Sequence, residues 1–83
     1  MTRLVLRQNV PCRVGSGDEQ VVLVLVKVRD DDPPTAVVRV LRDGAAADNE
    51  VRLADDLLVA GRRWTVQGVE QTPRARVDLE VAS

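Results

Sequence analysis

The chain has 83 residues, 45% apolar and 30% charged, with 12 basic residues against 13 acidic and a net charge of -1. That length holds one small core and leaves no room for an elaborate catalytic cleft, and the charge balance lacks the basic excess of a nucleic-acid or anionic-membrane binder. The longest apolar run, Val21 to Val26, is far shorter than the roughly 18 to 20 residues of a membrane span.

Apolar residues recur with period two along most of the chain, and period 3.6 is nearly absent, which predicts an all-β protein. The first strand is expected at Arg3 to Arg7, with Leu4 and Leu6 inward. Arg7 and Asn9 interrupt the opening apolar run before a signal-peptide core could form, so a cytoplasmic protein is expected. Gln8-Asn9 turns the chain into a short strand at Val10 to Val14, where Pro11 removes a backbone donor and favours an edge position. Gly15-Ser16-Gly17-Asp18 is expected to be a flexible loop.

Residues 20–29 form the most apolar strand. Val22, Val24, Val26 and Val28 share one face, and Val21, Leu23 and Leu25 the other. Asp30-Asp31-Asp32-Pro33-Pro34 closes a hairpin, because the prolines forbid both helix and ladder and nothing in the run can be buried. Thr35 to Arg42 returns with Ala36, Val38 and Val40 on one face and Val37, Arg39 and Leu41 on the other. After a turn at Asp43-Gly44, Ala45-Ala46-Ala47-Asp48 is read as at most a helical turn, with a strand resuming at Glu50 to Leu53.

A short strand around Leu57 to Ala60 reverses at Gly61 into a strand at Arg62 to Glu70. Trp64 and Val66 share a parity that Val69 breaks, and a β-bulge at Gln67-Gly68 would restore it. Thr72-Pro73 turns the chain into a last strand, in which Val77, Leu79 and Val81 alternate with Arg76, Asp78 and Glu80. Seven or eight short strands at this spacing predict a single domain over residues 1–83, an antiparallel β-sandwich or a partly open barrel. The expected core is Leu4, Leu6, Val22, Val24, Val26, Val38, Val40, Leu53, Leu57, Trp64, Val66, Val77, Leu79 and Val81.

Histidine, tyrosine and phenylalanine are absent, so the usual general base near neutral pH is missing and Cys12 has no imidazole to activate it. A non-enzymatic role without a cofactor is therefore expected. The dense carboxylates, Asp55-Asp56 and Asp30-Asp31-Asp32, read as solvated turns. Three contiguous aspartates before two prolines also lack the alternating spacing of a calcium loop. Cys12, placed inward between Val10 and Val14, reads as a small buried hydrophobe, and as the only cysteine it excludes an intramolecular disulfide. Trp64 has two readings, a core anchor in phase with Val66 or a ligand platform beside Arg62, Arg63, Arg74 and Arg76 for a small anion or single-stranded nucleic acid.

Val21, Leu23, Leu25, Val37 and Leu41 form a second apolar face on the 20–42 hairpin that a chain this short is not expected to cover. They are the expected protein interface, and the expected partner is a second copy of the chain or a larger protein, with no membrane and no nucleic acid required.

The stretch Leu53-Ala54-Asp55-Asp56-Leu57-Leu58-Val59-Ala60-Gly61-Arg62-Arg63-Trp64-Thr65-Val66-Gln67-Gly68-Val69-Glu70, together with Leu4 to Pro11, resembles short uncharacterised actinobacterial all-β proteins. That resemblance implies a source and no catalytic residues. The same succession of turns and strands is similar to small phage head-closure and tail-adaptor barrels, with Gly61 in the hairpin before the Trp64 strand.

Overall fold

The computed structural model describes residues 3–15 and 20–81. These residues form eight strands and no helix: β1 (Arg3–Arg7), β2 (Cys12–Val14), β3 (Val21–Arg29), β4 (Thr35–Arg42), β5 (Ala45–Val51), β6 (Asp56–Val59), β7 (Arg62–Glu70) and β8 (Arg76–Val81). They make two antiparallel four-stranded sheets, ordered β1-β8-β7-β6 and β2-β3-β4-β5. The sheets are not closed into a barrel, and their inner faces share one core. The loop expected at Gly15 to Asp18 lies, past Gly15, outside the described residues.

Turn chemistry fixes two of the hairpins. Asp43-Gly44 and Ala60-Gly61 each take positive φ at both central residues, 50° and 80° in the first and 53° and 76° in the second. Their flanking pairs are Arg42 with Ala45 and Val59 with Arg62, so both are two-residue hairpins whose twist matches that of the strands they join. Glycine is needed at Gly44 for its φ alone, since an added Cβ would meet nothing within 4 Å.

The first hairpin turn also explains β5. Once Arg42 is set opposite Ala45, every following residue through Val51 pairs in turn with β4, and seven ladder pairs outweigh the helical preference of three alanines. The expected helical turn at Ala45 to Asp48 is therefore strand, and β5 runs from Ala45 to Val51 rather than from Glu50 to Leu53. Leu53, expected in the core, is 58% exposed beyond the strand's end. Of the second expected strand only Cys12 to Val14 pairs, because Val10 instead closes a turn onto the Arg7 carbonyl at 3.1 Å.

The bulge expected in β7 is present, with the β7–β8 register shifting between Val66 and Gly68. A second bulge, in β3, reverses an expectation. Beside the loop, Arg29 faces Thr35, Val28 faces Ala36 and Lys27 faces Val37. Carried on unbroken, that register would set Val26, Val24 and Val22 inward beside Val38 and Val40. The register instead shifts at Val26, so Leu25 pairs with Val38 and Leu23 with Val40. One extra residue turns every side chain before it to the other face. Leu23 and Leu25 are 0% exposed and Val21 2%, all within the core, whereas Val22, Val24 and Val26 are half-buried on the outside.

The remaining core is Leu6, Val28, Ala36, Val38, Val51, Leu57, Val59, Trp64, Val66, Ala75, Val77 and Leu79, with Leu4, Cys12, Val40 and Val81 packed at its margin. The radius of gyration, 11.9 Å, matches the roughly 12 Å expected of a compact chain this long. The inner faces thus cover each other within one chain.

Candidate functional site

The outer face of the β2-β3-β4-β5 sheet carries the apolar excess of the 20–42 hairpin. Across the ladder, Val22 lies beside Leu41 and Arg13, Val24 beside Arg39, and Val37 between Lys27 and Glu50. Val22, Val24, Val26 and Leu41 are half-buried, and Val37 is buried at 8% exposure. Two of the five expected interface residues, Val37 and Leu41, are on this face. The other three, Val21, Leu23 and Leu25, point into the core because of the bulge at Val26, and the three valines of opposite parity take their place.

Charge on this face is largely neutralised within the chain. Arg39 grips Asp48 with two bonds, Nε to Oδ1 at 2.8 Å and Nη2 to Oδ2 at 3.2 Å. Arg29 grips Glu50 through Nη2 to Oε1 at 2.8 Å and Nη1 to Oε2 at 3.3 Å, and also donates to Asp31 at 3.2 Å. Hydrogen bonding from Arg39, helped by its charge, holds the Asp48 carboxyl below its ordinary value, and the same contact raises Arg39. The bond to Glu50 raises Arg29 likewise. Thr35 is buried at the end of the face, and its hydroxyl accepts from Arg52 Nε at 3.0 Å.

The outer face of the β1-β8-β7-β6 sheet is different. It is laced with charge, through Arg3 with Glu80, Arg63 with Asp56, and Arg76 with both Glu70 and Asp78. Its apolar exposures, Val5 and Leu58, are single side chains on its two edge strands.

The expected ligand platform does not assemble. Trp64 is 3% exposed, inside the core opposite Leu57 and Val81, and presents no ring face to solvent. Its indole Nε1 is buried without a hydrogen-bond partner. Arg63 is engaged by Asp56, and Arg76 donates to Asp78 at 3.1 Å. Arg62 is exposed at the Ala60-Gly61 hairpin. Arg74 lines a concavity.

That concavity is a cleft of about 510 Å³ at one end of the sandwich. One wall is the end of β1 and the turn after it, Arg7 to Val10, and the floor includes Lys27 and Val28 of β3. The loop between β7 and β8 closes the other side with Gln71, Pro73, Arg74 and Ala75. Both walls are fastened to β3. Asn9 N–H donates to the Leu25 carbonyl at 3.0 Å and Gln8 Nε2 to the Val26 carbonyl at 3.2 Å, while Gln71 Nε2 donates to the Val28 carbonyl at 3.3 Å. Asn9 takes φ 62°, a left-handed conformation that asparagine tolerates better than most residues. Periodicity could not reveal this cleft, since Arg7, Lys27 and Arg74 belong to three separate segments.

Among the described residues no three His, Cys, Asp or Glu side chains are grouped to hold a metal ion, and no helix is long and apolar enough to cross a membrane. A family model described as a family of unknown function, DUF6406, matches residues 1–83. Neither the curated proteins nor the solved structures contain a match to the chain.

Proposed function

The chain belongs to DUF6406 over its whole length, and because the function of that family is unknown, we propose from the geometry that it is a non-enzymatic assembly module that pairs with a second copy of itself. The paired surface is the outer face of the β2-β3-β4-β5 sheet, centred on Val22, Val24, Val26, Val37 and Leu41. The observation that carries this reading is the run of apolar side chains across the two central strands of one outer face, where the apolar exposures of the other face, Val5 and Leu58, are single side chains on its edge strands.

A second copy suits that stripe. Sheets stack face to face at about 10 Å, and a two-fold axis places one surface on itself, so Val24 of one protomer meets the same region of its partner. Arg39–Asp48 and Arg29–Glu50 are already neutralised in the chain, which lowers the cost of bringing two such faces together. A cytoplasmic setting and an actinobacterial source belong to the same proposal. The likeness of the strand and turn order to small phage head-closure and tail-adaptor barrels accords with an assembly role.

Light scattering at micromolar concentration tests the reading. Twice the chain mass is expected for the native protein, and the mass of one chain for Val24→Lys and Leu41→Lys, each with an unchanged β-rich circular dichroism spectrum. A native protein of single-chain mass across that range overturns it.

A further inference from the structure

Among the described residues, three basic side chains without an ion-pair partner belong to the lining of the cleft at the end of the sandwich. Arg7, Lys27 and Arg74 line it, from β1, β3 and the loop between β7 and β8, and among the described residues no carboxylate does. Arg3, Arg29, Arg39, Arg63 and Arg76 each have an acidic partner within 4.0 Å, whereas among the described residues none pairs with Arg7, Lys27 or Arg74, as none does with Arg13, Arg42, Arg52 or Arg62; the cleft is where three such cations line one concavity.

Shape narrows the ligand. A volume of about 510 Å³ falls within the range of small-molecule sites, and both walls are tied to β3 before anything binds. Two guanidinium forks and an ammonium suit the oxygens of a phosphate, which carries close to two negative charges at neutral pH. Val28, at 7% exposure, and Ala75, at 8%, join Pro73 and Val10 in giving an apolar surface for a short carbon body. No aromatic ring lines the cleft, so a nucleobase has nothing to stack on.

We infer that this cleft binds a small phosphate-bearing metabolite without a nucleobase, held by Arg7, Lys27 and Arg74. The inference does not depend on pairing through the apolar face.

Isothermal titration calorimetry of the full chain with glycerol 3-phosphate, inorganic pyrophosphate, citrate and a single-stranded oligonucleotide tests it. Saturable one-to-one binding is expected for glycerol 3-phosphate or pyrophosphate. Because a hydrogen bond to a charged group is worth about 1.5 to 3 kcal/mol, Arg74→Gln and Lys27→Gln should each weaken it by roughly tenfold or more. Arg62→Gln, at an exposed arginine outside the cleft, should leave it unchanged, and so should the Val24→Lys variant. All three cleft cations are exposed, so thermal melts of the glutamine variants should match the native protein. Binding of citrate or the oligonucleotide alone, no saturation by either phosphate at millimolar concentration, or equal weakening by Arg62→Gln would each overturn it.

Discussion

Asp48 shows how one side chain on the candidate interface reports its surroundings. Its carboxyl accepts two bonds from Arg39 and is held below the ordinary aspartate range, first by that hydrogen bonding and further by the guanidinium charge. A carboxyl whose value falls on folding adds stability above its unfolded value, about 3.9, and loses that contribution as the pH drops through the folded value. The difference in urea midpoint between the native protein and Asp48→Asn should therefore be constant near neutrality and fade below about pH 4. The pair is open to solvent, so salt should shrink the same difference. A gap that widens on acidification would show that Arg39 does not hold the charged form. Trp64 teaches a different lesson at this scale. Arginines surround it in the sequence, yet the ring faces Leu57 and Val81 in the core, because strand parity and not sequence adjacency decides which neighbours a side chain meets.

Among the elements, β3 and β7 carry the same irregularity with opposite visibility. In β7 the bulge is legible, since Trp64 and Val66 have one parity and Val69 the other. In β3 every residue from Val21 to Val26 is apolar, so an extra residue leaves no mark on the pattern. The consequence is testable by comparing adjacent positions. Leu25→Ala should cost about 2 to 5 kcal/mol by opening a cavity in the core. Val24→Thr on the outer face should cost under about 1 kcal/mol when the two variants are compared at a concentration low enough for the single chain to be the unit that unfolds, because it leaves no void in the core. Urea unfolding at constant m value reads both, and a Val24→Thr loss as large as that of Leu25→Ala would contradict the register. β5 shows tertiary context overriding local preference in the other direction, where a two-residue turn at Asp43-Gly44 pins three alanines into a ladder.

For the molecule as a whole, two surfaces with different physics lie on one small sandwich, and ionic strength separates them. An interface built on Val22, Val24, Val26, Val37 and Leu41 gains from apolar burial, which salt does not screen. The cleft works through Arg7, Lys27 and Arg74, whose attraction for an anion weakens as the Debye length falls from about 10 Å at 0.1 M salt to about 3 Å at 1 M. Raising sodium chloride across that range should weaken phosphate binding severalfold in calorimetry and leave the mass by light scattering at twice that of the chain. A fall to the mass of one chain in high salt would contradict an interface held by apolar burial.

Local patterning along the chain specifies the strand class, the turns and most strand limits. Period-two alternation, the Asp-Gly and Ala-Gly reversals and the Pro33-Pro34 loop each act over a few residues, and the chain obeys them: β1, β4 and β7 match their expected limits to the residue. It also showed that the 20–42 hairpin carries more apolar surface than one side can use. Which half of that surface turned inward was settled only by the tertiary structure, because a strand apolar on both faces has two nearly equivalent registers and a single bulged residue chooses between them. Tertiary structure alone also brought Arg7, Lys27 and Arg74 to one cleft, since residues 20 and 47 positions apart line the same concavity only once the sheets have stacked.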